Sequence, residues 1–221
     1  VLHHGAGDRL AGLSKRLFVL FLAMVIAGFA LPSPGIAARP EVPGQPYVSN
    51  YAPLAKPSSP LLLIVPEIHL RAPIIPIPIV VTSDGTRTLT PPNDYHEVGW
   101  WDQSAPIGSP SGQTLLTGHT VHTGGGVMNL LGDLRPGALV RIRTKLGVVD
   151  YRATDVFVFT KQELSDNAEE LFGQKRHLNR LVLVTCTGWT GSYYTSNIIV
   201  FADPLGVRKK SAGPVDPYDA S

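Results

Sequence analysis

Leu181-Val182-Leu183-Val184-Thr185-Cys186 is a strongly apolar, strand-like stretch of this 221-residue chain, and it ends on the only cysteine. Leucine and β-branched residues follow one another over a strand's length, and Thr187-Gly188-Trp189-Thr190-Gly191 beyond them is turn-forming. The stretch predicts a strand that delivers a thiol to a loop. Outward from it, the segments 61–65, 73–81, 113–119, 138–143, 148–159 and 197–202 are rich in β-branched residues or alternate in polarity. Ser83-Asp84-Gly85 and Arg135-Pro136-Gly137 supply turns between them. Pro73, Pro76 and Pro78 each lack an N–H, which confines the 73–81 segment to an edge or irregular strand. Two short helices are expected, over 127–134 and 166–172, the second capped by Ser165 or Asp166. Many short strands with few helices predict a mostly β fold, a barrel or a sandwich.

The rest of the chain is appendage. Residues 17–31, LFVLFLAMVIAGFAL, are apolar throughout and follow Lys15-Arg16, the pattern of an export or membrane signal. Retention as an anchor puts the body outside the cell under the positive-inside rule, whereas the small residues Gly35-Ile36-Ala37-Ala38 after Pro32 and Pro34 offer a cleavage site. Eight prolines in 32–60 predict an extended spacer. The expected organisation is a signal or anchor over 1–38, a Pro-rich linker over 39–60, a barrel over 61–205 and a disordered tail over 206–221.

Charge and cysteine content narrow the function. Of 19 basic and 17 acidic residues, Arg9, Lys15, Arg16 and Asp8 lie in the first 38, so the net +2 belongs to that segment and the body is neutral. No basic stripe marks the body, which argues against a nucleic-acid partner. One cysteine excludes an internal disulfide. No Cys/His spacing or carboxylate cluster suggests a metal, and Gly124-Gly125-Gly126 lacks the Lys-Ser/Thr of a phosphate cradle, so no cofactor is expected.

The reactive candidates sit at two strand ends. His119 closes Thr114-Leu115-Leu116-Thr117-Gly118-His119 ahead of a glycine-rich loop, as Cys186 closes its own strand. Alone, a cysteine is commonly an inert buried hydrophobe and a histidine a hydrogen-bonded structural residue. Together, a Gly-His strand end, a Val182-Leu183-Val184-Thr185-Cys186 strand about 65 residues later, an N-terminal apolar segment and a β body resemble the sortases, cell-surface cysteine transpeptidases of Gram-positive bacteria. The series Ile64-Val65-Pro66-Glu67-Ile68, Ala72-Pro73-Ile74, Val98-Gly99-Trp100-Trp101 and Leu131-Gly132-Asp133-Leu134-Arg135-Pro136-Gly137 is most similar to actinobacterial class F sortases. The resemblance covers about residues 61–203.

It implies a closed sortase-type β-barrel with short helices, preceded by a hydrophobic N-terminal helix. Cys186 would attack an amide carbonyl of an LPXTG-like sorting signal to form a thioester, which an amine then resolves. His119 would protonate the leaving amine and deprotonate the incoming one, with His122 as the rival base. The implied partners are surface proteins with a C-terminal sorting signal, an amine acceptor on a cell-wall peptide or pilin lysine, and the membrane through residues 17–31.

One family residue is missing. Sortases carry an Arg on the strand after the Cys, and here no Arg or Lys stands between Cys186 and Phe201. Motif position puts Thr195 in its place, and counting back from Ile199-Val200-Phe201-Ala202 puts Asn197 there. Either donates a hydrogen bond, but neither is a charged fork. Loss of an oxyanion donor costs on the order of 10²–10³ in rate, which motivates a second reading, a sortase-fold surface protein acting as a binding module. A remote Arg, such as Arg180 or Arg208, could also fold into the site. Trp189, Tyr193 and Tyr194 in the loop after Cys186 are candidates to line a groove for an apolar-Pro signal.

Overall fold

A computed structural model describes residues 50–208, apart from 82, 84, 86 and 176–178. The expected anchor, most of the linker and the end of the tail lie outside the described residues. In chain order the strands are β1 (Tyr51–Ala52), β2 (Pro60–Val65), β3 (Leu70–Ile77), β4 (Val80–Val81), β5 (Arg87–Thr88), β6 (Val98–Trp101), β7 (Gln113–Gly118), β8 (Leu139–Thr144), β9 (Gly147–Thr160), β10 (Arg180–Trp189) and β11 (Tyr194–Arg208). Helices α1 (Lys161–Asp166) and α2 (Ala168–Phe172) separate β9 from β10.

Eight strands close on themselves in the order β2-β3-β6-β7-β10-β11-β9-β8. The pairs β3–β6 and β7–β10 are parallel, and the other pairs of the barrel are antiparallel. Closure removes the unpaired edges that a sheet of this size would otherwise expose. β1 extends the sheet beside the end of β11, through Tyr51↔Arg208 and Ala52↔Val207. There Asp150 accepts from the Tyr51 hydroxyl at 3.0 Å and pairs with Arg208 at 3.0 Å and the buried Arg141 at 3.3 Å. The last residues of the expected linker and the first of the expected tail thus belong to the sheet.

The apolar run of β10 is explained by burial on both faces. Leu181 and Leu183 point into the barrel with Leu63, Leu116, Ile142 and Val200. Val182 and Val184 point outward into a second layer with Ile199, Phe201 and Leu171 of α2.

Three expectations need correction. First, β3 is internal to the barrel, between β2 and β6, so the prolines do not force an edge. Strand N–H groups point alternately to either side, and the Asp102 N–H bonding the Ile77 carbonyl at 3.1 Å shows that odd residues of β3 face β6. Pro73 therefore faces β6 one residue before that ladder begins at Ile74, and Pro76 faces β2 after its ladder has ended at Pro73. Neither missing donor is called for. Second, 127–134 forms only a single 3-10 turn, Leu131–Asp133. Third, the 166–172 helix is preceded by α1, whose cap is Thr160, with neither Ser165 nor Asp166 capping it. The Thr160 hydroxyl accepts from the Glu163 N–H at 3.2 Å, and the Glu163 carboxylate accepts from the Thr160 N–H at 2.8 Å. This reciprocal capping box starts the helix at Lys161.

Candidate active site

Cys186 does not close its strand: β10 continues to Trp189, paired only with β11. What ends there is the neighbour on the other side. β7 runs parallel to β10 in constant register from Arg180↔Gln113 to Val184↔Thr117 and then leaves it. His119 and Cys186 each lie two residues past the last paired position, and by alternation Cys186 belongs to the outer face, like Val184. Cys186 is half-buried, the first outward position of β10 beyond the apolar layer. The two candidate residues therefore flank the cleft where two parallel strands part.

Thr185 holds the cleft's dimensions. Its side chain is buried, and its hydroxyl donates to the Gly118 carbonyl at 2.8 Å. That uses its one proton, so the 2.8 Å contact with Thr120 is donated by Thr120. The residue before Cys186 is thus bonded to the residues on both sides of His119. The His119 carbonyl accepts from the Met128 N–H at 3.0 Å, and Asn129 bonds both backbone groups of Val121, at 2.8 and 2.9 Å. Gly118 is required here: a Cβ would stand 2.9 Å from both Met128 Cγ and Val127 Cγ1, the side chains that back the loop.

The His119 ring is held in place. Nε2 lies 2.7 Å from the Pro92 carbonyl, and the ring meets Tyr95 edge-on at 4.9 Å. A carbonyl only accepts, so Nε2 carries a proton and Nδ1 is the nitrogen left to exchange one. His122 lies exposed on the loop, its ring stacked on Trp189 at 4.1 Å and 6°. Trp189 in turn meets Tyr194 at 4.9 Å. These three rings form one wall beside the cleft. The Tyr194 hydroxyl is pushed above its ordinary pKa, first by burial and then by neighbouring Cys186. Tyr193, 63% exposed, is not part of this stack.

Asn197 is directly across from Cys186 in the β10–β11 ladder, and Phe159 of β9 is across from Asn197. The Asn197 amide donates to the Thr185 carbonyl at 3.0 Å and stands 3.9 Å from Sγ. Its oxygen accepts from Lys161 Nζ at 2.7 Å, and Nζ is itself 3.7 Å from Cys186 Sγ. Thr195 has spent its proton on the Gly188 carbonyl, 3.1 Å away. Gly188 is glycine because its φ is 73° and a Cβ would collide with that hydroxyl. Of the two positions weighed for the missing Arg, the fold brings Asn197 to the thiol and commits Thr195 elsewhere.

The remote arginines are also committed. Arg180 donates to Gln113 at 2.6 Å and to the Leu171 carbonyl at 3.2 Å, with its guanidinium 3.8 Å above the Phe201 ring. Arg208 is at the Asp150 cluster. Lys161, the cation at the thiol, escaped the sequence reading because it lies 25 residues before Cys186, on a strand-to-helix junction. The one available signal was Thr160-Lys161-Gln162-Glu163, a capping-box pattern that starts a helix at Lys161. Among the described residues no three His, Cys, Asp or Glu side chains are grouped to hold a metal ion.

Residues 63–205 match the family model described as Sortase domain. No curated protein matches the chain. Among solved structures, sortase C-1 from Actinomyces oris is 20% identical, covering 68% of this chain and 73% of its own, with a TM-score of 0.50. The complex of Streptococcus agalactiae sortase C1 and MTSET is 19% identical, with coverages of 69% and 72% and a TM-score of 0.52. Sortase A from Corynebacterium diphtheriae is 16% identical, with coverages of 74% and 66% and a TM-score of 0.51. At these identities the likeness is one of fold.

Proposed function

Because this chain belongs to the sortase family through residues 63–205, we propose that it is a cysteine transpeptidase with Cys186 as nucleophile and His119 as acid and base. The observation that carries the reading is the parting of β7 and β10 after Val184↔Thr117, two residues before Cys186 on one chain segment and His119 on the other. In the first half-reaction the thiol proton passes to the imidazole, Sγ bonds to the scissile carbonyl carbon, and the carbon–nitrogen bond breaks as the amine leaves with that proton. In the second, the imidazole takes a proton from the acceptor amine as nitrogen displaces sulfur. With Nε2 on Pro92, these transfers run through Nδ1 of His119.

The substrate is an LPXTG-like sorting signal, and the acceptor is an amine of a cell-wall peptide or a pilin lysine. The wall of His122, Trp189 and Tyr194 suits a proline-containing peptide, since flat aromatic faces pack against proline rings. The class F assignment rests on the motif series from Ile64 to Gly137. Residues 17–31 are the single N-terminal anchor, with the domain outside the membrane; no helix among the described residues is long and apolar enough to cross a membrane.

Incubation of the full chain with a sorting-signal peptide tests this. A thioester adduct on Cys186, discharged by an added amine, is the expected result. The binding-module alternative predicts peptide retention with no adduct.

A further inference from the structure

We infer that Lys161 is the cationic residue of the reaction: its ammonium pairs with the Cys186 thiolate and then with the oxyanion formed on the attacked carbonyl. This rests on the transpeptidase reading above and extends it to a residue from outside the strand that follows the Cys. Lys161 Nζ is in hydrogen-bond contact with Sγ, at 3.7 Å.

Its position is built. The ammonium has three protons, one of them on Asn197 Oδ1 at 2.7 Å. Asn197 can accept that proton only in the orientation that sends its amide to the Thr185 carbonyl, and both bonds are present. The buried Asn197 thus locks the distance between the strand carrying Cys186 and the helix start carrying Lys161. On the other side, the Thr160–Glu163 capping box sets where the first helical residue falls. A cation in the first turn opposes the helix dipole, so helix formation alone does not account for a lysine there.

The chemistry follows from charge movement. As sulfur attacks, negative charge passes from Sγ to the carbonyl oxygen, one carbon away. An ammonium on a flexible stem follows that displacement by rotation, whereas a planar guanidinium would hold two bonds at once. Asn197 acts as a positioning residue, its oxygen tethering the ammonium.

Full-length Lys161→Gln, Lys161→Ala and Lys161→Arg, each checked for an unchanged melting temperature, test this in two assays. In the first, single-turnover acylation by a sorting-signal peptide falls about 10²-fold in the Gln and Ala variants and recovers to within about tenfold in the Arg variant. In the second, iodoacetamide alkylation of Cys186 at neutral pH slows several-fold in the Gln and Ala variants. Raising the salt concentration slows alkylation of the wild type but not of Lys161→Gln, because this exposed ion pair is screened and the reagent is neutral. Acylation, alkylation and salt response all unchanged in Lys161→Gln overturn the inference and leave the transpeptidase standing. A wild type that forms no acyl-enzyme but still loses alkylation rate in Lys161→Gln defeats the transpeptidase and retains the ion pair.

Discussion

Thr185→Val tests the proposed cleft without touching either reactive side chain. Valine matches threonine in shape, so packing around this buried position is kept, while the donor to Gly118 and the acceptor from Thr120 are removed together. Leaving the Gly118 carbonyl without this donor costs about 1–3 kcal/mol, and the lost Thr120 bond adds about 0.5–1 kcal/mol because that half-buried hydroxyl can turn toward water. A total of about 1.5–4 kcal/mol lowers the melting temperature of a domain this size by about 3–16 °C without unfolding it. The larger effect is on chemistry. The bonded pair spans from the residue before Cys186 to the residues flanking His119, so its loss lets the two strands separate further. A displacement of about 1 Å at reacting groups costs roughly 10²-fold. The assay is acylation of Cys186 at saturating peptide, beside thermal melting. Thr185→Ser, which keeps the hydroxyl and loses a methyl, retains acylation while losing some stability. Equal acylation in Thr185→Val and wild type, with an unchanged melting temperature, refutes the reasoning.

Cys186→Ala and His119→Ala each abolish acyl-enzyme formation in mass spectra and leave circular dichroism intact, whereas His122→Ala keeps acylation within about tenfold, since its ring stacks on Trp189; a dead His122→Ala would reassign the base. Trp189→Ala raises KM for the peptide several-fold with kcat nearly kept, because the wall binds substrate and transition state alike; a matching loss in kcat would place the ring in the chemistry. Glu163 is held below the ordinary carboxylate pKa by the Thr160 backbone N–H and then its hydroxyl. A depressed folded-state value contributes stability above the unfolded value, and that contribution disappears as pH falls through the folded one. The gap in melting temperature between wild type and Glu163→Ala is therefore full at pH 6 and closes below about pH 4; a pH-independent gap would dismiss the cap's charge as its source.

The sequence alone settled what local pattern controls. Runs rich in β-branched residues or alternating in polarity marked the strands, and Gly118-His119 and Cys186 stood out as chemistry at the ends of such runs. Where a strand's neighbour mattered, local pattern was not enough. Pro73 and Pro76 forbid a ladder bond on one side of each residue, but only the barrel's closure shows that those sides need none. Cys186 looked like a strand's last residue because turn-formers follow it, yet pairing with β11 carries the strand on to Trp189 and it is β7 that departs. Lys161 was unreadable for the same reason. Side chains distant along the chain meet through strand register and the helix start that follows β9, and both arise only when the sheet closes. Local sequence determines which residues can take part, and the closed barrel determines which of them face one another.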